Sequence, residues 1–503
     1  MYLLIILSKK IKCYFVHNFK LAANNKTMKS IWAKAKERKN GNIEGDKDIV
    51  VIGGGIAGFL TAFRLSQSGK QVTLIEANKV LGGVTSKTTA HIDCMESFIY
   101  GKMITKSFET TKDFYFFQQE AIQEYENLIN EYKIECDFVK VDSYFYTQHK
   151  QQELIDEFNS LKDIGADVEF IENPNLPVGE ATMAFKLKNQ AIFDPIKFLN
   201  GLSVNFEIIE GVRVLDIDFK TKTLYTSKNE FRANKIIVAT NFPFVNFPGW
   251  YFLRMYKSHS YAVAIDKAQD IKGSYLNADE SGLTFRNHID SVIVGGYDHR
   301  SGRPYKYQSF DRLYEKGKHL TDDGTLTHQW SANDCVTFDD LPYVGYYSKR
   351  SKDIYVITGF GKLGMAKAMA SSILISDMIN DIPNKYKKLC DPLRKGQCNW
   401  SFFKNLLCTL KNLVLMPLVP PFRCVKNIKA GQGKVVFYKG VKTAVYKDED
   451  EKIHAISPYC AHLGCQLKFN PDARTWDCPC HGSRFDIHGN IITAPTTKKQ
   501  ERV

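Results

Sequence analysis

Two short segments near the C-terminus constrain what this chain can be more than any other part of its sequence. CAHLGC occupies residues 460–465 and CPCHGS occupies residues 478–483. Each segment has a cysteine followed closely by a histidine, so the two loops together supply two thiolates and two imidazoles for a metal centre. Each segment also holds one further cysteine, Cys465 or Cys480, and this placement suggests a disulfide that ties the loops together.

The four candidate metal ligands are Cys460, His462, Cys478 and His481. In a [2Fe–2S] cluster, two thiolates can bind one iron and two neutral imidazoles the other, which raises the reduction potential above that of an all-cysteine cluster. Structural zinc also accepts two cysteines and two histidines, but its usual spacings put like ligands together. Because each loop here carries one ligand of each kind, the pattern favours the cluster over zinc or a simple disulfide pair.

The C-terminal module resembles Rieske iron–sulfur domains, specifically the disulfide-bearing type found in cytochrome bc complexes. The resemblance implies that the two cysteine ligands bind the buried iron, that the two histidine ligands bind the outer iron, and that Ser483 hydrogen-bonds a cluster sulfur. Two positions depart from the family pattern: Phe485 stands where a tyrosine is frequent, and Ala494-Pro495 replaces Gly-Pro. These departures concern the potential of the cluster and not its presence.

The second informative motif is a complete β-α-β unit near the N-terminus. The strand 48–52 leads into GGGIAG, residues 56–68 have apolar positions at a helical period, and 71–77 form the next strand. The glycines that satisfy G-x-G-x-x-G are Gly53, Gly55 and Gly58. Such glycines let the backbone approach a pyrophosphate at a helix N-terminus, where free N–H groups favour anions. Glu76 is placed to accept hydrogen bonds from an adenosine ribose, and an acid there argues against a 2′-phosphate.

Segments further along the chain indicate FAD instead of NAD. The doublet Gly82-Gly83 follows the second strand, and IIVATN (236–241), WSANDCVTFDDLPYVG (330–345) and ITGFGKLGM (357–365) occur later. Together these segments resemble FAD-dependent oxidoreductases of the D-amino-acid-oxidase-like (glycine oxidase-like) family. With the Rieske-like tail, about residues 28–500 are similar to bacterial fusion proteins that join the two domains.

The same resemblance implies which residues surround the flavin. The candidates in the last glycine loop and after the glycine doublet are Gly359, Gly361, Lys362, Gly364, Thr88 and Thr89. Lys362 would stabilise charge at the N1–C2 edge of the isoalloxazine, or it is a surface lysine on a loop. No residue is predicted as a catalytic acid or base, because His91 and His299 are more typical of structural histidines.

At 503 residues the chain exceeds what one hydrophobic core usually serves. We predict an N-terminal extension, 1–45, in which translation starts at Met28; an FAD-dependent oxidoreductase domain, 46–385; a linker, 386–426; and an all-β Rieske domain, 427–503. In the oxidoreductase domain, α/β nucleotide-binding parts of the Rossmann type alternate with parts of an antiparallel α+β substrate domain. The nucleotide-binding parts are 46–92, 187–254 and 346–385, and the substrate parts are 93–186 and 255–345.

Charge and hydrophobicity give weaker constraints. The formal net charge is +13, but the lysines are scattered, so nucleic-acid binding is not expected. The apolar run at the N-terminus is too short for a signal peptide or a membrane span, and prolines interrupt the apolar stretch of the linker. We therefore expect a cytoplasmic protein whose linker packs on one domain, with peripheral membrane association as the less favoured alternative.

The combined motifs predict a flavoprotein oxidoreductase whose FAD takes two electrons from a small organic donor, by default an amine or an amino acid. The cluster would exchange single electrons with a redox protein or a quinone-type acceptor. The alternative is an electron-transfer protein that works between protein redox partners without a small-molecule substrate. A Rieske oxygenase is not expected, because the flavin-like region offers no site of two histidines and a carboxylate for mononuclear iron.

Overall fold

The computed structural model describes residues 28–38, 40–280, 282–303, 305–394, 400–421 and 425–503. Met28, where translation is predicted to start, is the first of these residues, and residues 1–27 lie outside them. The fold contains the predicted α/β nucleotide-binding domain, the antiparallel substrate domain interleaved with it, and the C-terminal all-β domain.

A smaller, mostly parallel sheet forms the nucleotide-binding domain. Its eight strands are Lys47–Ile52, Val72–Glu76, Glu207–Glu210, Val214–Asp218, Thr223–Thr226, Glu230–Asn241, Tyr343–Tyr346 and Ile354–Thr358. The first strand, Lys47–Ile52, lies between the parallel strands Val72–Glu76 and Glu230–Asn241. The central strands are nearly continuous runs of buried apolar residues, which is typical of parallel sheets covered on both faces.

A larger, mainly antiparallel sheet forms the substrate domain. Its nine strands are His91–Ile92, Val139–Thr147, Val168–Glu172, Met183–Ile192, Met255–Ile265, Ser274–Asn277, Thr284–His288, Ser291–Arg300 and Leu326–Thr337. Met183–Ile192 runs through the predicted boundary at 187, because it pairs along its whole length with Val139–Thr147. His91–Ile92, predicted in a nucleotide-binding part, also belongs to this sheet. Conversely, Tyr343–Tyr346 joins the smaller sheet slightly earlier than predicted.

The helices cover both sheets. Ile56–Gln67, which follows the glycine turn, packs against Gly364–Ile379, and the long helix Phe108–Tyr132 packs against Gly364–Ile379 as well. The other α-helices in the described residues before 395 are Tyr100–Ile104, Gln151–Asp163, Pro195–Gly201, Tyr251–Arg254, Ser309–Gly317 and Lys387–Cys390. This packing holds together the two helices that follow the glycine turn and the last glycine loop.

The C-terminal domain contains two small antiparallel sheets. One is formed by Gln432–Tyr438, Val441–Lys447 and Ile453–Ile456, and the other by Lys468–Asn470, Thr475–Asp477, Arg484–Phe485 and Ile491–Thr493. The two cysteine–histidine segments lie in loops that flank the first two strands of the second sheet. Trp476, Leu467 and Phe485 are fully buried beneath these loops.

The predicted linker is helical over much of its described length. Trp400–Leu410 continues through the π-helical segment Lys411–Leu415 into Met416–Leu418. Pro417 lies in the last piece, and because the helix continues from the preceding segment, its missing backbone N–H removes one helical hydrogen bond. None of the helices that the structure describes is both long enough and apolar enough to span a bilayer.

Candidate functional site

Most glycines identified from the sequence face one cavity of about 270 Å³ at the carboxyl ends of the parallel strands. The predicted residues that line this cavity are Gly53, Gly55, Glu76, Gly82, Gly83, Gly359, Gly361 and Gly364. Ligands of open α/β sheets bind outside the carboxyl ends of the strands. We call this space the cofactor cavity.

At two of these positions the backbone leaves no room for a side chain, so glycine is required. Gly53 has a φ of +109°, and a Cβ there would lie 2.6 Å from the carbonyl oxygen of Ala239. Gly58 is not part of the cavity lining. A Cβ on Gly58 would meet the carbonyl oxygen of Gly53 and the side chain of Ala239. Gly58 therefore permits close packing of the helix on the sheet.

The helix that starts at Ile56 directs its N-terminus towards the cofactor cavity. The backbone N–H of Ile56 donates to Thr85 Oγ1 at 2.8 Å, and both residues line the cavity. The first N–H groups of a helix and its dipole favour negative charge. This part of the cavity suits a pyrophosphate.

Glu76 lies where the ribose of a bound nucleotide is expected. Its carboxylate accepts hydrogen bonds from the backbone N–H groups of Gly54 and Asn78, each at 2.8 Å. Burial raises the pKa of Glu76, while the two backbone hydrogen bonds and the nearby charge of Arg213 lower it. Arg213 also lines the cavity, and no local sequence motif marks it.

Lys257 is a second cavity residue that the sequence did not indicate. It is buried, and no carboxylate in the described part of the chain forms an ion pair with it. Burial lowers the pKa of its ammonium group. A buried cation facing a glycine-lined cavity fits a cofactor that offers negative or electron-rich groups.

The C-terminal domain closes one side of the cofactor cavity. Arg484 and residues between 491 and 497 are part of the lining. Arg484 Nε lies 3.1 Å from Asp477 Oδ1, and both side chains are almost fully buried. Asn333 of the larger sheet lines the cavity as well, and its Nδ2 donates to the carbonyl oxygen of Gly482 at 3.1 Å. Both domains therefore build this site.

A second cavity, of about 330 Å³, adjoins the first and shares Lys87 and Asp334 with it. Thr88 and Thr89 line this second cavity, together with His91, and are not among the residues of the cofactor cavity. His91 is buried, and its Nδ1 is hydrogen-bonded to Ser274 Oγ at 2.7 Å. That bond agrees with its interpretation as a structural histidine.

Lys362 also lines the second cavity, next to the flavin-lining glycines with which it was predicted. Its Nζ lies 3.1 Å from Asp298 Oδ1 and 3.7 Å from Asp334 Oδ2. Burial lowers the pKa of Lys362, but the two nearby carboxylates raise it by more, so the net result is a raised pKa. The alternative, a surface lysine on a loop, does not fit this arrangement, because two carboxylates on the larger sheet hold the side chain and only 28% of it is exposed.

The second cavity carries more acidic than basic side chains. The acids are Asp93, Glu96, Asp279, Glu280, Asp298 and Asp334, and the bases are Lys87, Lys150 and Lys362. Its described lining contains no arginine. Burial raises the pKa of both Asp93 and Asp334 to about 6. At neutral pH the cavity therefore favours a cationic ligand.

The four predicted cluster ligands come together in the C-terminal domain. The thiols of Cys460 and Cys478 lie within hydrogen-bond distance, which lowers the pKa of Cys460. The rings of His462 and His481 have centroids 5.1 Å apart. Neither ring nitrogen of the buried His481 has a hydrogen-bond partner among the described residues, nor has Nδ1 of His462. Buried imidazole nitrogens without partners are costly, so this arrangement fits an iron–sulfur cluster bound by these four residues.

The residues around the ligands also lie close to their expected places. Cys465 and Cys480 form a disulfide. Ser483 is buried, its hydroxyl hydrogen-bonds the thiol of Cys460, and its oxygen accepts from the backbone N–H of Thr496 at 3.2 Å. Phe485 is buried in the same core as the two cysteine ligands.

Two residues of the oxidoreductase domain contact the histidine ligands. Asn246 Oδ1 lies 2.9 Å from His462 Nε2. The ring of Phe252 meets the ring of His481 edge-on, with centroids 5.5 Å apart. Neither contact could be found from the sequence, because more than two hundred residues separate the partners. The histidine side of the cluster site therefore faces the flavin-binding domain.

These two sites define the class of protein: an oxidoreductase with a nucleotide-type cofactor site and an iron–sulfur site in one chain. Comparison with protein families agrees. The family model described as FAD dependent oxidoreductase (DAO) matches residues 48–378, and the model of the Rieske [2Fe-2S] domain matches residues 421–503. The chain therefore belongs to the FAD dependent oxidoreductase family and carries a C-terminal Rieske domain. It is an enzyme of the oxidoreductase class, and its cofactors are FAD and a [2Fe–2S] cluster.

Curated relatives match either most of the chain or its C-terminal domain. The Rieske 2Fe-2S iron-sulfur protein YhfW of Bacillus subtilis is 30% identical over 475 residues, covering 91% of this chain and 93% of that protein. The iron–sulfur subunit of the cytochrome b6-f complex of Prochlorococcus marinus is 39% identical over 74 residues. That match covers 14% of this chain and 42% of the subunit, so it concerns the Rieske domain alone.

Solved structures show the fold of the larger part. Glycine oxidase from Geobacillus kaustophilus has a TM-score of 0.59 at 14% identity, covering 70% of this chain and 100% of that chain. L-proline dehydrogenase from P. horikoshii has a TM-score of 0.58 at 17% identity, covering 70% and 98%. At this level of identity the similarity concerns the fold.

Proposed function

We propose that this chain oxidises a small amine-bearing molecule at the second cavity and passes the electrons through its own Rieske cluster to a redox partner. The observation that carries the proposal is the contiguity of the sites. The second cavity shares Lys87 and Asp334 with the cofactor cavity, and the C-terminal domain closes the cofactor cavity through Arg484. When bound, FAD supplies a two-electron acceptor and the cluster a one-electron carrier.

The side chains of the second cavity would bind and orient the substrate. Glu96 and Glu280 are paired with lysines outside the cavity, but Asp93 and Asp279 form no ion pair in the described part of the chain. A protonated amine therefore gains favourable electrostatic interactions with these two carboxylates on entry. Carboxylate groups of ligands are often held by a bidentate arginine, and none occurs in the described lining. The cavity therefore supports an amine more than an amino acid, although either remains within the proposed class.

Asp334 has a special place in this arrangement because it faces both cavities. Its pKa of about 6 reflects burial, which raises it, and the ammonium group of Lys362, which lowers it. Above this pH its carboxylate can hold the substrate ammonium or accept a proton at the boundary with the cofactor site. Lys362 fixes the position of Asp334 by their shared charge interaction.

The route out of the cofactor cavity passes through Asn333. Its amide lines the cavity and donates to the Gly482 carbonyl oxygen, and Gly482 is bonded covalently to both His481 and Ser483. One hydrogen bond therefore joins the flavin site to the loop that carries two of the four cluster ligands, Cys478 and His481. This short connection supports intramolecular electron transfer. The final acceptor in this proposal is a redox protein or a quinone-type molecule. The proposed location is the cytoplasm, as the sequence predicts.

The test is an anaerobic panel of primary and secondary amines, amino acids and reduced protein carriers, monitored by bleaching of the flavin absorbance. We expect amines to bleach the flavin, and Asp334→Asn to weaken their apparent affinity, while Asp323→Asn, at an exposed position, has no effect. Bleaching by reduced carriers alone would establish the alternative, an electron-transfer protein without a small-molecule substrate. Bleaching by amino acids in preference to amines would contradict the charge argument.

A further inference from the structure

The helical part of the linker places its apolar side chains on the outside of the protein. Seven large apolar residues there are between 44% and 75% exposed: Phe403, Leu407, Leu410, Val414, Leu415, Leu418 and Val419. Spacings of three or four residues put most of them on one face of the helix. We call this face the apolar stripe.

The opposite face of the helix carries polar residues and is buried. Asn405, Thr409 and Asn412 are almost inaccessible to solvent. Asn405 accepts a hydrogen bond from Arg300 of the larger sheet, and the carbonyl oxygen of Asn412 accepts from the backbone N–H of Gln466 at 3.4 Å. An amphipathic helix that packs on a protein core shows the reverse pattern, with apolar residues inside. No segment in the described part of the chain covers the apolar stripe.

Neighbouring segments extend the apolar surface. Phe247 and Trp250 are both more than half exposed, and their ring centroids lie 4.4 Å apart. They adjoin the short helix Tyr251–Arg254, which packs against Trp400–Leu410. Exposed aromatic residues at the margin of an apolar helix face are typical of membrane interfaces, where one end of the ring is apolar and the other wet.

The charge of the segment around the apolar stripe indicates what kind of partner the stripe binds. Residues 392–447 contain eleven lysines and arginines and no aspartate or glutamate, although the chain as a whole is only moderately basic. Lys404 and Lys411 are exposed on the helix itself, and Lys426, Lys429 and Lys439 are exposed nearby. Basic residues that flank an apolar helix face attract anionic lipid headgroups, whereas they would repel the same face of a second copy of this chain.

We propose that the apolar stripe lies in the plane of an anionic phospholipid bilayer and attaches the protein to the membrane surface. The stripe enters the boundary between headgroups and acyl chains, and the surrounding lysines contact the headgroups. The buried face of the same helix contacts the cluster domain, where the carbonyl oxygen of Thr409 lies 4.0 Å from Cys480 Sγ. Attachment would therefore bring the cluster domain close to the bilayer. The proposal does not depend on the identity of the substrate.

Co-sedimentation of the full-length holoprotein with vesicles tests this inference. Vesicles of phosphatidylcholine with phosphatidylglycerol should bind the protein, and vesicles of phosphatidylcholine alone should bind it much less. Raising the salt concentration should weaken binding, because surface charge interactions are screened. The double variant Leu407→Glu, Leu415→Glu should reduce vesicle binding by at least about tenfold.

A matched control separates the stripe from exposed apolar residues in general. Ile382 is 52% exposed and lies outside the stripe, so Ile382→Glu should bind vesicles like the unmodified protein. Flavin absorbance and the reduced-cluster EPR signal verify that each variant is folded. Equal binding of the double variant and the unmodified protein would overturn the proposal. The proposal would also be overturned if light scattering showed a dimer for the unmodified protein and a monomer for the double variant, because the stripe would then be a contact between two copies.

Discussion

The hydrogen bond between Asn246 and His462 leads to a specific prediction about the reduction potential of the cluster. Nε2 of His462 is 2.9 Å from Asn246 Oδ1, whereas the buried Nδ1 has no hydrogen-bond partner among the described residues. The geometry assigns Nδ1 to the iron and makes Nε2–H the donor to Asn246. An acceptor at Nε2 increases the basicity of the imidazole as a ligand, which favours the oxidised iron. Asn246→Leu should therefore raise the midpoint potential.

The size of the effect follows from the energy of one hydrogen bond. A net contribution of about 0.5–1.5 kcal/mol is typical, and about 59 mV corresponds to a tenfold change in a one-electron equilibrium. If all of that energy distinguishes the two redox states, the rise is about 20–65 mV. Any part of the hydrogen-bond energy that is equal in the oxidised and the reduced cluster does not change the potential, so this range is an upper bound.

The assay is a redox titration followed by the EPR signal of the reduced cluster. Asn246→Asp is an informative second variant, because a charged acceptor should lower the potential where a missing acceptor raises it. Asn205→Leu is the control, since Asn205 is exposed and lines neither cavity. An unchanged or lower potential in Asn246→Leu would show that Nε2 does not donate to Asn246 in the loaded protein.

Three further predictions concern other parts of the sites. Gly55→Asp should abolish flavin binding, because it places a carboxylate at the expected pyrophosphate position, and should leave the EPR signal of the cluster intact; loss of both signals would point to misfolding. Ser483→Ala should lower the cluster potential and Phe485→Tyr should raise it, because hydroxyl donors near the cluster favour the reduced state; an unchanged potential in Phe485→Tyr would show that position 485 does not face the cluster. Asp93 has a pKa raised to about 6 by burial, so its ionisation destabilises the fold as the pH rises from about 4 to about 6. Asp93→Asn should therefore increase the free energy of unfolding at pH 8 by up to about 3 kcal/mol and leave it unchanged below about pH 4, as measured by denaturant titration.

The parts of the sites that the sequence predicts are those encoded by contiguous residues. The glycine turn needs a backbone without Cβ atoms at Gly53 and Gly58, and the helix after it needs a regular apolar period, so both can be recognised locally. The pair Cys465 and Cys480 was identified because each lies within a ligand segment. These features depend on spacing along the chain and not on distant contacts.

The remaining features depend on contacts between distant segments. The sequence of the last glycine loop does not show that Asp298 and Asp334 draw Lys362 into the second cavity. Similarly, nothing near Arg484 indicates that it lines the flavin site of another domain. The sequence predicts that the linker packs on one domain, but it does not show that the linker helix buries Asn405 and exposes Leu407. Such orientations follow from the tertiary structure alone.

The central claim is that electrons from the substrate reach the cluster through the flavin of the same chain. It is tested most directly by mixing the oxidised protein anaerobically with an amine that bleaches the flavin, without a mediator, and freezing samples for EPR at successive times. Flavin absorbance should fall first, and the reduced-cluster signal should then grow in the same samples, at a rate that does not depend on protein concentration. A bleached flavin beside a cluster that stays oxidised, or a rate proportional to protein concentration, would contradict the account.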